Sequence, residues 1–352
     1  MRRLGEPLRL AKADPAAMGF FRLRRHRLGS LLALLVLPPL LAGCVASLQR
    51  GGEAGAVRNG ATPSAVRRPL VLTTVLPITL FTRAVAGPCA EVRPLVEGAA
   101  GAHDLQATPA QLARLRQARV LVVNGLGLER HLDRLVAGSG NPALRLLDAS
   151  RSLGPTAVAS GTHPGTDSGA HPGHVHQSGA VNPHVWLDPQ RAARQVETIR
   201  DGLIAADPAC RASYLANAAA FLAELRRLDA DLSGLLAPYA GRRFLAFHDL
   251  APYFAERYHL QADALVAVPD QSPSAADLQR LQRQVRASGL RALVSEPQAG
   301  SRAFTALARD LNLPVVIFDP LETVPAGTPL TPSLYGTTMR RNGRSLVRAF
   351  GG

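Results

Sequence analysis

Three of the ten histidines in this 352-residue chain stand where elements of structure should end, next to short polar or proline-rich runs. His103 precedes Asp104-Leu105-Gln106, and His184 lies inside Asn182-Pro183-His184-Val185-Trp186-Leu187-Asp188-Pro189. His248 directly follows an apolar run ending at Phe247. Acidic residues take the same place after two later apolar runs, Glu296 in Ser295-Glu296-Pro297-Gln298 and Asp319 in Phe318-Asp319-Pro320-Leu321. The carboxyl ends of strands are where open α/β sheets bind their ligands. Neutral imidazole suits zinc, which takes histidine nitrogens at about 2.0–2.1 Å and accepts a carboxylate or water as a further ligand. The set reads as a candidate zinc centre of His103, His184 and His248, its fourth position open between Asp319, Glu296 and water. His163, His171, His174 and His176 form a second group, and the His-x-x-His-x-His spacing of the last three can chelate a metal without any fold.

These residues need elements to hold them. Apolar runs at residues 70–75 and 120–123 read as strands, with helices near Phe81 and from Glu129 onward. A second series follows, with strands at 243–247, 264–268, 292–294 and 315–318, helices near Ala251, Ser274 and Ala303, and a last helix at 334–350. Strands alternating with helical patterns mean an α/β fold. Between the two series the chain turns helical, first at 190–205 and then from Pro208, where Asp207 reads as the N-cap and proline as the first helical residue. Leu215, Leu222, Leu225, Leu228, Leu232 and Leu235 recur at spacings of three, four and seven, an apolar stripe that runs to Pro238. The fold expected is two α/β lobes joined by a long rigid helix, with the metal site in the cleft between them. Its parts are an N-terminal lobe at 69–188 carrying a His-rich surface loop at 161–178, a helical connector at 189–237, and a C-terminal lobe at 238–352.

The first residues have a different task. Arg22, Arg24, Arg25 and Arg27 precede the apolar run 31–41, too short to span a bilayer with ease and right for the core of a secretory signal. The run closes on Leu41-Ala42-Gly43-Cys44, small residues before a cysteine, as in a bacterial lipoprotein cleavage site. Residues 1–43 are thus expected to be a signal peptide starting at Met1 or Met18, Cys44 the lipidated first residue, and 44–68, rich in Gly, Ala and Arg, a flexible tether. Eight basic residues against Glu6 and Asp14 give this leader six of the chain's fourteen net positive charges. The rest are scattered arginines without interleaved aromatics, which argues against nucleic acid as a partner. Export places the body in an oxidising compartment, where Cys89 and Cys210 are a candidate disulfide.

The ligand segments resemble those of a known family, the ZnuA-type periplasmic zinc-binding proteins of ABC importers, within the wider manganese and zinc solute-binding family. Asn182-Pro183-His184-Val185-Trp186-Leu187-Asp188-Pro189 is similar to the family's second-ligand motif nearly letter for letter. Phe247-His248-Asp249-Leu250-Ala251-Pro252-Tyr253-Phe254 resembles the third-ligand segment, and His103-Asp104-Leu105-Gln106-Ala107-Thr108-Pro109 the first. Asn124-Gly125-Leu126-Gly127-Leu128-Glu129 is similar to a family strand end, which displaces a dinucleotide reading of its glycines. The resemblance spans residues 70–350. It implies His103, His184 and His248 as ligands, with Asp319 at the family's carboxylate position ahead of Glu296. A histidine rather than a carboxylate at 248 implies zinc over manganese, and the loop histidines imply an auxiliary metal collector.

Function follows from the resemblance as an expectation: a monomeric, lipid-anchored protein of the periplasm or cell surface that captures zinc and delivers it to an ABC permease. The sequence holds no Gly-rich phosphate loop ending in Lys-Ser/Thr, so the ATPase is expected to be a separate cytoplasmic chain. The alternatives are a binder of manganese or another divalent metal, an adhesin of the same family, and a secreted zinc hydrolase. Against the hydrolase stands the lack of a His-Glu-x-x-His motif, so no enzymatic activity is expected.

Overall fold

The computed structural model describes residues 68–96, 108–129, 132–154, 181–266, 290–297 and 302–351, with single positions at 274, 276, 279, 282 and 283. His103, His131, the loop histidines 163, 171, 174 and 176, and Cys44 lie outside the described residues. The described residues belong to one unit, Pro63–Gly352.

The first lobe is built on β1 (Leu70–Thr73), β2 (Glu91–Pro94), β3 (Val120–Val123) and β4 (Arg145–Asp148), all parallel in the order β2-β1-β3-β4. The apolar runs of β1 and β3 take the two central places, because a parallel strand covered on both faces must be hydrophobic throughout. The edges carry Glu91-Val92-Arg93-Pro94 and Arg145-Leu146-Leu147-Asp148, a composition that showed no strand pattern in the sequence. Three helices accompany this sheet: α1 (Leu76–Ala86), α2 (Pro109–Gln117) and α3 (Leu132–Gly138). The first strand stops at Thr73, two residues short of expectation, because Val75 already caps α1, whose first turn holds Pro77. Thr108 and Gln111 cap α2 reciprocally, each side chain bonding the other's backbone N–H.

The second lobe repeats the arrangement with β5 (Arg243–His248), β6 (Gln261–Val266), β7 (Ala292–Ser295) and β8 (Val315–Ile317), again parallel, in the order β6-β5-β7-β8. Among its described residues are α6 (Pro252–Arg257) and α7 (Arg302–Leu311), and residues 276, 279, 282 and 283 are helical as well. Both sheets therefore share one strand order, although their sequences show no repeat. In each, the order reverses between the two central strands, the place where open sheets leave a crevice at their carboxyl ends.

Two helices join the lobes: α4 (Pro189–Ala206) and, after a 3-10 turn at Pro208–Cys210, α5 (Arg211–Leu236). The 26 residues of α5 span about 39 Å at the usual helical rise. The start of α5 differs from expectation. Asp207 ends α4, its N–H bonding the Leu203 carbonyl, and its carboxylate accepts the Tyr214 hydroxyl at 3.0 Å instead of capping α5. The buried stripe accordingly begins at Tyr214, not Leu215, which is 40% exposed, and continues through Ala218, Phe221, Leu222, Leu225, Leu228, Leu232 and Leu236. The last helix, α8 (Ser333–Ala349), lies along α5, where Gly343 lets the two approach: a methyl group there would stand 2.7 Å from Leu232 Cδ2. One buried apolar cluster runs from Val71 and Val122 in the first sheet, through α1, α4, α5 and α8, to Phe244 and Val294 in the second. Cys89, after α1, and Cys210, before α5, are joined by a disulfide that ties the connector to the first lobe.

Candidate metal centre

Strand β5 delivers the first candidate ligand. It sits beside the switch point of the second sheet, and His248 is its last residue, so the imidazole projects from the carboxyl end of the sheet. The neighbouring strand β7 ends at Ser295, and the next residue, Glu296, places its Oε1 2.5 Å from His248 Nδ1. Glu296 is thus the carboxylate behind the histidine, turning Nε2 outward. Such carboxylate–histidine pairs fix ring orientation and strengthen the metal-facing nitrogen.

His184 arrives from a different direction. Pro183 and Pro189 keep the segment out of a continuous helix, leaving a 3-10 turn at Val185–Leu187 before α4, whose N-cap Asp188 accepts the Gln190 N–H at 2.8 Å. Asn182 orients the ring. Its Nδ2 donates to the Asp249 carbonyl at 2.7 Å, so its Oδ1 must face the histidine, where it accepts the His184 backbone N–H at 3.0 Å and the ring Nδ1–H at 2.9 Å. That assignment leaves the lone pair of a neutral His184 on Nε2.

A third group, Glu322, completes the cluster. Its Oε1 lies 2.8 Å from His184 Nε2 and 3.5 Å from His248 Nε2, and the two Nε2 atoms are 3.4 Å apart. Ligand atoms at about 2.0–2.1 Å from a tetrahedral zinc are separated by about 3.3–3.4 Å, so two of these three edges already match. Lone pairs that face one another repel unless a cation stands between them, and the cation can be a proton or a metal. Among the described residues, this is the one group of three metal-capable side chains whose ligand atoms converge in this way.

Burial raises the stakes. His184, His248, Glu296 and Glu322 are all at most 4% exposed, and burying two carboxylates beside two imidazoles requires compensating positive charge. On His248, burial works against protonation, but hydrogen bonds to Glu296 and Glu322 and their negative charges outweigh it, raising the pKa to about 10. Trp186 closes one side with its ring edge-on to His184 at 5.2 Å, and Tyr253 closes another, donating its hydroxyl to the Asn182 carbonyl at 2.8 Å.

The structure sorts the residues expected from sequence. His184 and His248 come together. Glu296 is adjacent, yet it bonds the far nitrogen of His248. Asp319 is elsewhere in the turn after β8: its Oδ1 accepts the Leu321 N–H at 2.9 Å and its Oδ2 the Arg341 guanidinium at 2.7 Å, so both oxygens are used outside the cluster. Burial raises the Asp319 pKa, with the Leu321 N–H and Arg341 opposing that effect. Glu322 is the residue that sequence reading missed. A search for the first acid after a strand stops at Asp319, whereas the turn reverses once more and presents the acid three residues later. His259 accepts from Gly241 N–H through its backbone carbonyl and takes no part in the cluster.

Two parallel α/β lobes linked by a long helix, with an imidazole–carboxylate cluster beyond the strand ends, define a two-lobed α/β protein with a candidate metal centre. The chain belongs to the ZnuA family, zinc-uptake complex component A, periplasmic, whose model matches residues 71–349. The zinc-binding protein AdcA of Streptococcus pyogenes is 27% identical over 280 residues, which cover 77% of this chain and 54% of AdcA. The chain thus spans about half the length of these curated relatives. A crystal structure of ZnuA superposes with a TM-score of 0.67 at 27% identity, covering 81% of this chain and all of that one. The zinc-bound ZnuA-like domain of Streptococcus pneumoniae AdcA superposes with a TM-score of 0.65 at 25% identity, covering 81% and 100% of the two chains. The streptococcal relative is named as a zinc-binding protein.

Proposed function

We propose that the chain captures zinc in the bacterial envelope and hands it to the membrane permease of an ABC importer powered by a separate cytoplasmic ATPase. The observation that carries this reading is the convergence of His184 Nε2, His248 Nε2 and Glu322 Oε1 in a buried site at the switch point of the second sheet. Two imidazole nitrogens and one carboxylate oxygen suit zinc better than manganese, which prefers an all-oxygen shell. His103 is the fourth ligand in this reading. The zinc-binding names of the relatives support the same metal. Cys44 carries the lipid that keeps the protein at the membrane, and the histidines at 163, 171, 174 and 176 collect metal for the main site.

Competition titration of the purified chain with zinc and manganese, with metal content measured after purification, tests the proposal. One tightly held zinc that excess manganese does not displace is expected. Preference for manganese, or no tight site, refutes it.

A further inference from the structure

Glu322 reaches the histidines from an unusual stretch of backbone. The residue before it, Leu321, has φ +62°, a left-handed conformation that a leucine adopts only at a cost, and its side chain is buried. Something must hold the turn there, and the bonds can be named. Asn342, on α8 and fully buried, brackets Asp319 with both ends of its amide: Oδ1 accepts the Asp319 N–H at 2.9 Å and Nδ2 donates to the Asp319 carbonyl at 2.8 Å. Asp319 Oδ1 then accepts the Leu321 N–H at 2.9 Å. Between them, Trp186 Nε1–H donates to the Pro320 carbonyl at 2.8 Å, while Tyr335 on α8 donates its hydroxyl to the Trp186 carbonyl at 2.7 Å. Four backbone groups in three consecutive residues are therefore fixed by side chains before the chain reaches Glu322.

We propose that Asn342 is a positioning residue for metal capture, holding the left-handed turn at Leu321 so that Glu322 presents its oxygen to His184 and His248. The inference rests on the zinc reading above and deepens it. Asparagine suits the place for a chemical reason: only an amide offers a donor and an acceptor side by side, and glutamine would carry the same group one methylene too far. Aspartate would lose the donor and set a second carboxylate against Asp319. The segment bearing His184 is tied to the same turn through Trp186, so the two ligands are held together by protein bonds.

The test compares full-length chains by zinc competition titration and by the visible spectrum of bound cobalt. Asn342→Ala is expected to weaken zinc binding about 10- to 100-fold, the usual effect of removing a group that orients a ligand, and to alter the cobalt spectrum. In a Glu322→Gln background the same substitution should change affinity less than about twofold, because its effect passes through the carboxylate. Asn342→Ser, which keeps more of the local packing, should show the same dependence on Glu322 if Asn342→Ala does not fold. Unchanged affinity in the variants, or equal weakening with and without Glu322, overturns the proposal. Failure of the wild-type chain to bind zinc would instead overturn the function on which it rests.

Discussion

Zinc titrations of the purified chain at about pH 6.5, 7.5 and 8.5 measure the proton that the metal must displace, and the surroundings of His248 set the expected slope. Glu296 and Glu322 together outweigh burial and raise that histidine to about 10, so at neutral pH the metal-free site holds an imidazolium. Zinc needs Nε2 as a lone pair. At least one proton should leave with each zinc bound, and apparent affinity should rise at least about tenfold per pH unit, or at least about 100-fold across that range. An ordinary histidine, titrating near pH 6.5, would give a curve that flattens above about pH 7.5. A chromophoric competitor of known pH dependence measures the affinity, and calorimetry in two buffers of different ionisation enthalpy counts the protons. Affinity that changes less than about threefold between pH 7.5 and 8.5, with no proton released, would refute the reasoning. The same shift acts on the metal-free fold. Because the folded pKa lies above the unfolded one, the stabilisation from His248 is complete below about pH 6.5 and is lost as pH rises toward about 10. The melting temperature of the metal-free chain should therefore fall over that window through this group.

Glu296→Gln should weaken zinc binding by about 10- to 100-fold and shallow the pH dependence, since it removes the charge that holds the proton on His248; an unchanged slope in the titration would count against that role. Asp319→Asn keeps an oxygen for the Leu321 N–H and should leave affinity within a few-fold, whereas Glu322→Ala removes a ligand and should abolish tight binding; competition titration that ranks them the other way restores Asp319 to the site. Replacing both Cys89 and Cys210 with serine opens a loop of 121 residues and should cost about 3 to 5 kcal/mol in denaturant unfolding, with zinc stoichiometry unchanged. Gly202→Ala pushes a methyl group to 2.3 Å from Leu147 Cδ2 and should destabilise by about 1 to 3 kcal/mol, read as a lower thermal midpoint.

The parts of the molecule that were legible in sequence are those where burial or backbone restriction leaves a pattern. Continuous apolar runs marked β1 and β3, and the helical pattern from residue 190 marked α4. The edge strands β2 and β4 were not legible, because a strand covered on one side can carry Glu, Arg and Pro and loses its signature. Asp207 looked like the cap of α5 from its place before a proline, but the Tyr214 hydroxyl competes for its carboxylate and a 3-10 turn intervenes. Two of the clustered residues, His184 and His248, could be found from residue type and their surroundings in sequence. Glu322 could not, since its position depends on a left-handed leucine and a distant asparagine, and neither leaves a local mark.

The hydrogen bonds around His184 reach into both lobes. The boundary drawn from sequence put it in the first lobe, and one bond there is direct, Asn124 Nδ2–H to the Pro183 carbonyl at 3.1 Å. More bonds run the other way: Asn182 to the Asp249 carbonyl, Tyr253 to the Asn182 carbonyl and Trp186 to the Pro320 carbonyl all join the His184 segment to the second lobe. His248 and Glu296 are already on that lobe, at the ends of β5 and β7, with Glu322 in the turn after β8. The described candidate ligands therefore form one buried group, aligned by protein bonds. Pre-alignment of this kind lowers the entropy that metal binding must overcome. It also means that a change in how the lobes meet would leave His184, His248 and Glu322 in register, and would act on the ion only through whatever the other lobe contributes.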